Sequence, residues 1–417
     1  MRSRNNEPMD FLFIHGNYPA QFRHLAVLLG QDHNHRVVFL TARQDAQTEP
    51  LPGLEIRTYS SHRTTNPGTH HYLQASEEAV LQGQAALRAV AELLEEGLRP
   101  RVVVSHGGMG MGLFLKDLLP KALHVGYFEW FFLPDTTRHL LPQFDLDAQL
   151  KTGLRNLPIL QELERCDLAV VPTAWQKAQF PKAYQSKLEV IFDGIDTSFF
   201  QPAPSNLKLE SSDLTLTNRD SGETVVLSAG NPVLSYATRG MEPLRGFPEF
   251  LRALPTLLAE FPDLQVVVAG ADRRAYSYEA PTHGGSWKEH VLTEMGMFPG
   301  RERLHFTGLL TYPDYRNLLW RSSLHCYFTR PYVTSWSLFE AAACGARLAV
   351  SRGPATEGIV EPDSVRWLDL EDQAAVAAGL LEGLQQPAGP AVIRPGFDLG
   401  TSLQRWEALL NRGLQRS

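Results

Sequence analysis

Residues 101–112 read RVVVSHGGMGMG. A β-branched run passes through Ser105 and His106 into a glycine-rich turn, and LFLKDLL follows with helical character, so the stretch predicts a strand, a turn and a helix. The same grammar extends in both directions. Upstream lie FLFI, QFRHLAVLLG, RVVFL and a long helix predicted from about Glu77 to Glu96. Downstream lie LHVGYF, LAVVP, LEVIF and the turn Asp193-Gly194-Ile195-Asp196. Short strands alternating with helices predict a parallel sheet covered by helices on both faces.

From residue 201 to 222 the pattern stops. QPAPSNLKLESSDLTLTNRDSG is polar and rich in Ser, Thr, Asn and Pro, the composition of an interdomain linker. A second series follows: strand TVVLSAG, helix FPEFLRALPTLLAEFP, strand LQVVVAG, helix YPDYRNLLWRS, strand LHCYF, helix SLFEAAACG and strand RLAVS. The chain therefore reads as α/β, with two Rossmann-like, doubly wound domains at 1–200 and 223–395. The segment 396–417 predicts an amphipathic helix with Leu403, Trp406, Leu409 and Leu410 on one face, a capping element that could cross back to the first domain.

Composition agrees with this division. At roughly 100–200 residues per domain, 417 residues predict two domains or slightly more. With 43% apolar and 20% charged residues, the chain is neither a disordered tail, a collagen nor a coiled coil. A net charge of −7, from 39 basic and 46 acidic residues, gives no broad footprint for nucleic acid, so any anion site must be local. Three cysteines far apart in sequence fit reduced thiols better than a disulfide framework. The apolar stretch Phe11 to Ile14 is too short for a signal-peptide core, and no run approaches the ~18 residues of a spanning helix. A cytoplasmic protein is expected.

Several motifs invite chemistry. His106-Gly107-Gly108-Met109-Gly110-Met111-Gly112, with Glu129 downstream, approximates a dinucleotide fingerprint, but its third glycine is misplaced and it lies deep in the domain. It still sets His106 at the carboxyl end of a parallel strand, where ligands bind; a glycine turn with an incidental histidine is the competing reading. His15-Gly16-Asn17-Tyr18-Pro19 ends the first strand in the same manner. Arg239 and Arg245 follow TVVLSAG and bracket a short loop before Gly246 and a helix. Two guanidiniums near a helix N-terminus suit a diphosphate, against the alternative of solvated loop arginines. In the segment Tyr332 to Glu340, Ser337-x-x-Glu340 matches a capping box, which gives Glu340 a structural explanation beside a role toward a sugar hydroxyl. Asp145-Leu146-Asp147 has DxD spacing but no preceding strand, and His70-His71 reads as solvated. A phosphate loop, an HExxH motif and a nucleophile elbow are all missing. The aromatic run Tyr127 to Phe132 reads as a buried wall, with contact to a lipid acceptor as the alternative.

Taken together, these stretches resemble the retaining glycosyltransferases of family four, of bacterial type, which have the GT-B fold. The second half carries RGMEPLRGFPEFLRALP, VVVAG, FTGLLTYPDYRNLLW and TSWSLFEAAACGARLAVSRGPATEGIV; the first carries HGNYPAQFRHLA, SHGGMGMGLFLKDLLP, GYFEWFF, PTAWQKAQFP and VIFDGID. The resemblance implies a nucleotide-sugar donor on the C-terminal domain, an acceptor on the N-terminal domain, and reaction in the cleft between them. Arg239 and Arg245 match the basic pair that neutralises the diphosphate, although the second is usually lysine and one residue closer. Glu340 matches the second glutamate of the E-x7-E signature, which binds ribose; Tyr332 stands at the first. His106, Arg239, Arg245 and Glu340 are thus expected to form the catalytic set. Ser335, Trp336, Ser337 and Gly16 are expected to be donor-binding, and His15, Asn17 and Glu129 to lie on the acceptor side. No metal and no cofactor beyond the nucleotide-sugar substrate is expected. The resemblance implies a sugar or lipid-linked acceptor in glycan, lipopolysaccharide or glycolipid synthesis, and allows for peripheral membrane contact at the inner face.

Rivals share the architecture. A phosphorylase needs a lysine Schiff base to pyridoxal phosphate, and beyond Gly222 the chain has a single lysine, Lys288, in the loop-like stretch GGSWKEH. A nucleotide-sugar epimerase and a non-catalytic sugar-binding protein remain as alternatives.

Overall fold

The computed structural model describes residues 8–207 and 211–416. These form two compact units: the first comprises the described residues up to Pro134, Phe144–Gly194 and those from Gly396 on, and the second comprises Asp135–Gln143 and Ile195–Pro395.

The first unit holds seven strands: β1 (Met9–His15), β2 (His35–Thr41), β3 (Leu54–Thr58), β4 (Pro100–His106), β5 (Leu123–Tyr127), β6 (Leu168–Val171) and β7 (Leu188–Val190). They pair in parallel in the order β3-β2-β1-β4-β5-β6-β7. Phe11, Leu12, Phe13 and Ile14 are all fully buried, as a strand covered on both faces requires. Their alternation sorts them: Phe11 and Phe13 pack with Phe22, Leu25 and Leu29, while Leu12 and Ile14 pack with Ala85, Ala86 and Val90 of the helix Gln74–Glu95. Trp406, Leu409 and Leu410, on the helix Leu399–Leu414, join the Phe11 face. Gly194 makes this docking close, because a Cβ there would meet Leu399 Cα at 2.9 Å, and its φ of +89° suits glycine.

The second unit has a six-stranded parallel sheet and a separate hairpin. The hairpin pairs β8 (Leu214–Thr217) with β9 (Thr224–Leu227). The sheet contains β10 (Val233–Gly240), β11 (Gln265–Ala271), β12 (Leu304–Gly308), β13 (Leu324–Tyr327), β14 (Leu348–Ser351) and β15 (Arg366–Leu368), in the order β12-β11-β10-β13-β14-β15. Two α/β units with parallel sheets match the fold class expected from the alternating pattern.

Two expectations change here. TVVLSAG is not the opening strand of the second sheet: Thr224–Leu227 forms the antiparallel hairpin, and the opening strand is VLSYATRG. The polar residue in that strand conceals it from pattern reading, since Ser235 is fully buried and meets Ser322 Oγ at 2.6 Å and His325 Nδ1 at 2.7 Å. The expected linker 201–222 likewise contains β8, whose Leu214 and Leu216 pack on Val233 and Val267. Its residues Lys208, Leu209 and Glu210 lie outside the described residues. Among the described residues, no helix is long and apolar enough to cross a membrane.

Candidate functional site

In the first unit, β1 and β4 lie side by side, so their last residues, His15 and His106, come together with ring centroids 4.4 Å apart. Both are buried. The Asn17 amide donates to His15 Nδ1 at 2.8 Å, which places the His15 proton on Nε2. Burial, and then the neighbouring His106, hold the His15 pKa well below the usual histidine range. Among the described residues neither ring nitrogen of His106 has a hydrogen-bond partner, although its Nε2 lies 3.3 Å from Glu129 Oε2.

Glu129, two residues past β5, is itself fixed. Gln21 Nε2 donates to its carboxylate and Gln176 Nε2 donates to its carbonyl at 2.7 Å. The structure thus gathers His15, Asn17, His106 and Glu129 at one sheet edge. Gln21 and Gln176 were missed, because single glutamines carry no motif. Gly16 lies in this same unit, and a Cβ there would meet only Met111 Cε at 3.7 Å. It stands apart in sequence and unit from Ser335, Trp336 and Ser337, with which it was grouped.

The glycine-rich turn after His106 has an occupant of its own. Glu162, buried on the helix Leu157–Arg165, accepts from the amides of Gly108 at 3.0 Å and Gly110 at 2.9 Å. An internal carboxylate therefore takes the amides that a dinucleotide phosphate would need. Burial pushes the Glu162 carboxyl up to about 7 despite these donors. The signal in sequence was faint: an acid in LPILQELER sharing the buried phase of Ile159 and Leu163.

In the second unit, Arg239 is the penultimate residue of β10 and is exposed, while Arg245 ends the short 3-10 turn Pro243–Arg245 and is buried. Arg245 Nη1 donates to Thr329 Oγ1 at 2.7 Å, and both Nη1 and Nη2 donate to the Val333 carbonyl at 3.1 Å. The two guanidiniums converge on Tyr276: Arg239 Nη1 donates to its hydroxyl at 3.1 Å, and their carbons lie 5.9 and 5.5 Å from its ring centre. Among the described residues neither arginine forms an ion pair with a carboxylate. The intervening Glu242, fully buried, is committed elsewhere; its Oε2 accepts from the amides of Ala275, Tyr276 and Ser277 at 2.9, 2.9 and 3.0 Å. That clamp places Tyr276 against the arginines. Glu242 and Tyr276 were not foreseen.

The segment 332–340 continues from Val333. The helix Trp336–Ala343 is capped by Ser335, whose hydroxyl receives the Ser337 amide at 3.4 Å. The expected capping box, with Ser337 as cap and Glu340 as its partner, is absent, because the helix begins two residues earlier and Glu340 falls in its second turn. Glu340 is buried with no hydrogen bond to its carboxyl from any described residue, and desolvation pushes it up to about 8. The Ser335 amide receives no free ligand position, since it donates to Tyr327 Oη at 2.9 Å. Tyr332, at the place of the first signature glutamate, packs its ring 5.7 Å from that of Tyr276.

A cavity of about 450 Å³ reaches the loop between the arginines at Met241 and is lined as well by Ala271, Asp272, Gly308 and Leu309 from strand ends, Asn218 and Asp220 from the hairpin turn, and Lys288. Lys288 belongs to the helix Trp287–Met295, not to a loop, with its ammonium 4.7 Å from the Phe306 ring centre. Asp145 and Asp147 have structural tasks: Asp145 caps the helix Leu146–Leu154, and Asp147 accepts from Tyr72 at 2.7 Å and faces His71 at 3.2 Å. His71 is therefore paired with a carboxylate.

Two such parallel α/β units define the GT-B fold. The chain is similar over 98% of its length to the whole chain of sucrose-phosphate synthase from Thermosynechococcus elongatus, at 13% identity and a TM-score of 0.67. It is similar over 98% to the whole catalytic domain of starch synthase IV from Arabidopsis thaliana bound to ADP and acarbose, at 11% identity and a TM-score of 0.60. A UDP-N-acetylglucosamine 2-epimerase is also similar, with 99% of this chain and 98% of that one covered, at 14% identity and a TM-score of 0.53. More particularly, residues 33–200 match the model of the glycosyl transferase family 4 group, in agreement with the resemblance read from the motifs. No curated protein sequence matches the chain.

Proposed function

We propose that the protein is a retaining glycosyltransferase that moves a sugar from a nucleotide-sugar, held by the second unit, to a sugar or lipid-linked acceptor at the first. The observation that carries this reading is the Arg239–Arg245 pair: two guanidiniums, one at the end of β10 and one in the turn that follows it, the second buried and neither in an ion pair among the described residues. A buried cation without an anionic partner is costly, and a diphosphate supplies that partner with geometry that suits guanidinium forks. The adjoining cavity accommodates the nucleoside, and Glu340 meets its ribose. In this reading the departing diphosphate is stabilised by fixed positive charge instead of a metal, and positioning supplies much of the rest. His106, whose Nδ1 has no hydrogen-bond partner among the described residues, hydrogen-bonds the transferred sugar.

The test is a thermal-shift screen of nucleotide-sugars, followed by transfer to acceptors in EDTA with the product read by NMR. Ligand at ~100 times its dissociation constant adds about 2.7 kcal/mol of stability. Retained anomeric configuration in chelator supports the proposal; an inverted product, or activity only with added magnesium, overturns it. The likeness to an epimerase favours one second reading, which predicts an epimerised sugar formed with no acceptor present.

A further inference from the structure

Glu162 acts where no motif points. Its two oxygens hold the amides on either side of Met109, and they do so from a helix more than fifty residues along the chain. Gly108 and Gly110 have φ of +91° and +99°; a Cβ would meet Ile159 Cγ1 at 2.8 Å from the first and the Ala79 carbonyl oxygen at 1.9 Å from the second. The turn thus has a single well-defined path. Its outcome is a large apolar side chain held in solvent, since Met109 is 58% exposed, next to the buried His106 that opens the turn.

We propose that Glu162 is a positioning residue of the acceptor site, whose carboxylate sets the Gly107–Gly112 turn so that Met109 faces the acceptor while His106 meets the transferred sugar. This rests on the reading that the first unit takes the acceptor. The chemistry makes the device pH-dependent. An ionised carboxylate accepts from both amides, whereas a protonated one presents a hydroxyl donor to one of them and loses that bond. The titratable groups that face Glu162 are His106, Tyr59 and Cys166; burial drives both the tyrosine and the thiol upward, away from the range of the carboxyl. With the carboxyl near 7, the clamp is complete above that pH and is lost as pH falls through it.

The experiment follows the amide nitrogen-15 shifts of Gly108 and Gly110 from pH 5 to 9 in the full chain, wild type against Glu162→Gln and Glu162→Asp. Transfer kinetics are measured in parallel. Both amides should titrate together near pH 7 in the wild type and not in Glu162→Gln. Acceptor kcat/KM should fall about tenfold to a hundredfold in Glu162→Gln, the scale of a misplaced reacting group, with nucleotide diphosphate affinity unchanged. Glu162→Asp, which keeps the charge, should recover part of the loss, and it carries the test if the glutamine variant fails to fold. Wild-type kinetics and pH profile in Glu162→Gln, or amides insensitive to pH, overturn the assignment. Absence of transfer in the wild type with every nucleotide-sugar overturns the transferase reading itself, while the amide titration still reports the clamp.

Discussion

At the end of β4 the first unit buries His106 with no hydrogen bond to either ring nitrogen from any described residue, against a His15 whose pKa burial holds well below the usual histidine range. At the end of β10 the second unit places Arg239 in solvent and Arg245 inside, with no ion pair to a carboxylate for either among the described residues. Both edges are steadied by a buried glutamate that collects loop amides: Glu162 for the glycine turn and Glu242 for residues 275–277. The same support thus carries opposite contents. An edge of buried imidazoles suits neutral hydroxyl groups, which need hydrogen bonds and no counter-charge. An edge of unneutralised guanidiniums suits an anion. The difference teaches that electrostatics, more than topology, divides the labour between two similar sheets.

His106→Ala should break this comparison most severely. Turnover should drop by about 10²–10³, as for loss of one well-placed donor in a transition state, while calorimetry with the free nucleotide diphosphate shows unchanged affinity. Near-normal turnover would remove the histidine from the reaction.

The arginines should separate by burial. Arg245→Ala removes charge-assisted bonds of roughly 1.5–3 kcal/mol and should weaken nucleotide diphosphate binding about tenfold to a hundredfold. It should also lower Tm, because Thr329 and the Val333 carbonyl lose their donor. Arg239→Ala, at an exposed position, should cost less than about 1 kcal/mol. Equal effects in calorimetry would mean that burial does not set the strength of the clamp.

Glu340→Gln sharpens the second edge through pH. Burial lets the folded carboxyl hold its proton up to about 8, whereas an ordinary glutamate releases it near 4.5. Between those values the unfolded chain has released a proton that the folded chain keeps, so stability falls as pH rises through this window and levels off above it. Glutamine should flatten that decline in Tm. With no capping box at Glu340 to preserve or lose, the variant should keep its helix while nucleotide affinity falls modestly. An unaltered Tm profile would show that Glu340 does not keep its proton. The smallest expected effect is that of chelation: EDTA should leave nucleotide diphosphate affinity unchanged, and a marked loss restored by magnesium would move the phosphate site away from the arginines.

Much of the fold was legible in the chain because a strand buried on both faces has to be apolar throughout. FLFI, RVVVS and LQVVVAG announce themselves for that reason, and the helix bearing Trp406, Leu409 and Leu410 does so through its 3.6-residue period. The positions of His15, His106 and Glu129 at strand ends were legible too, since a parallel sheet brings those ends to one edge. What sequence could not decide depends on partners distant along the chain. VLSYATRG was hidden because Ser235 is satisfied by His325, ninety residues away. The true cap of the helix Trp336–Ala343 was ambiguous among neighbouring serines until its first turn closed on Ser335. The roles of Glu162, Glu242 and Tyr276 arise only when amides 33 to 54 residues distant are brought within 3 Å of a carboxylate. A buried charge owes its meaning to the donors that tertiary packing delivers to it, and no local pattern encodes that delivery.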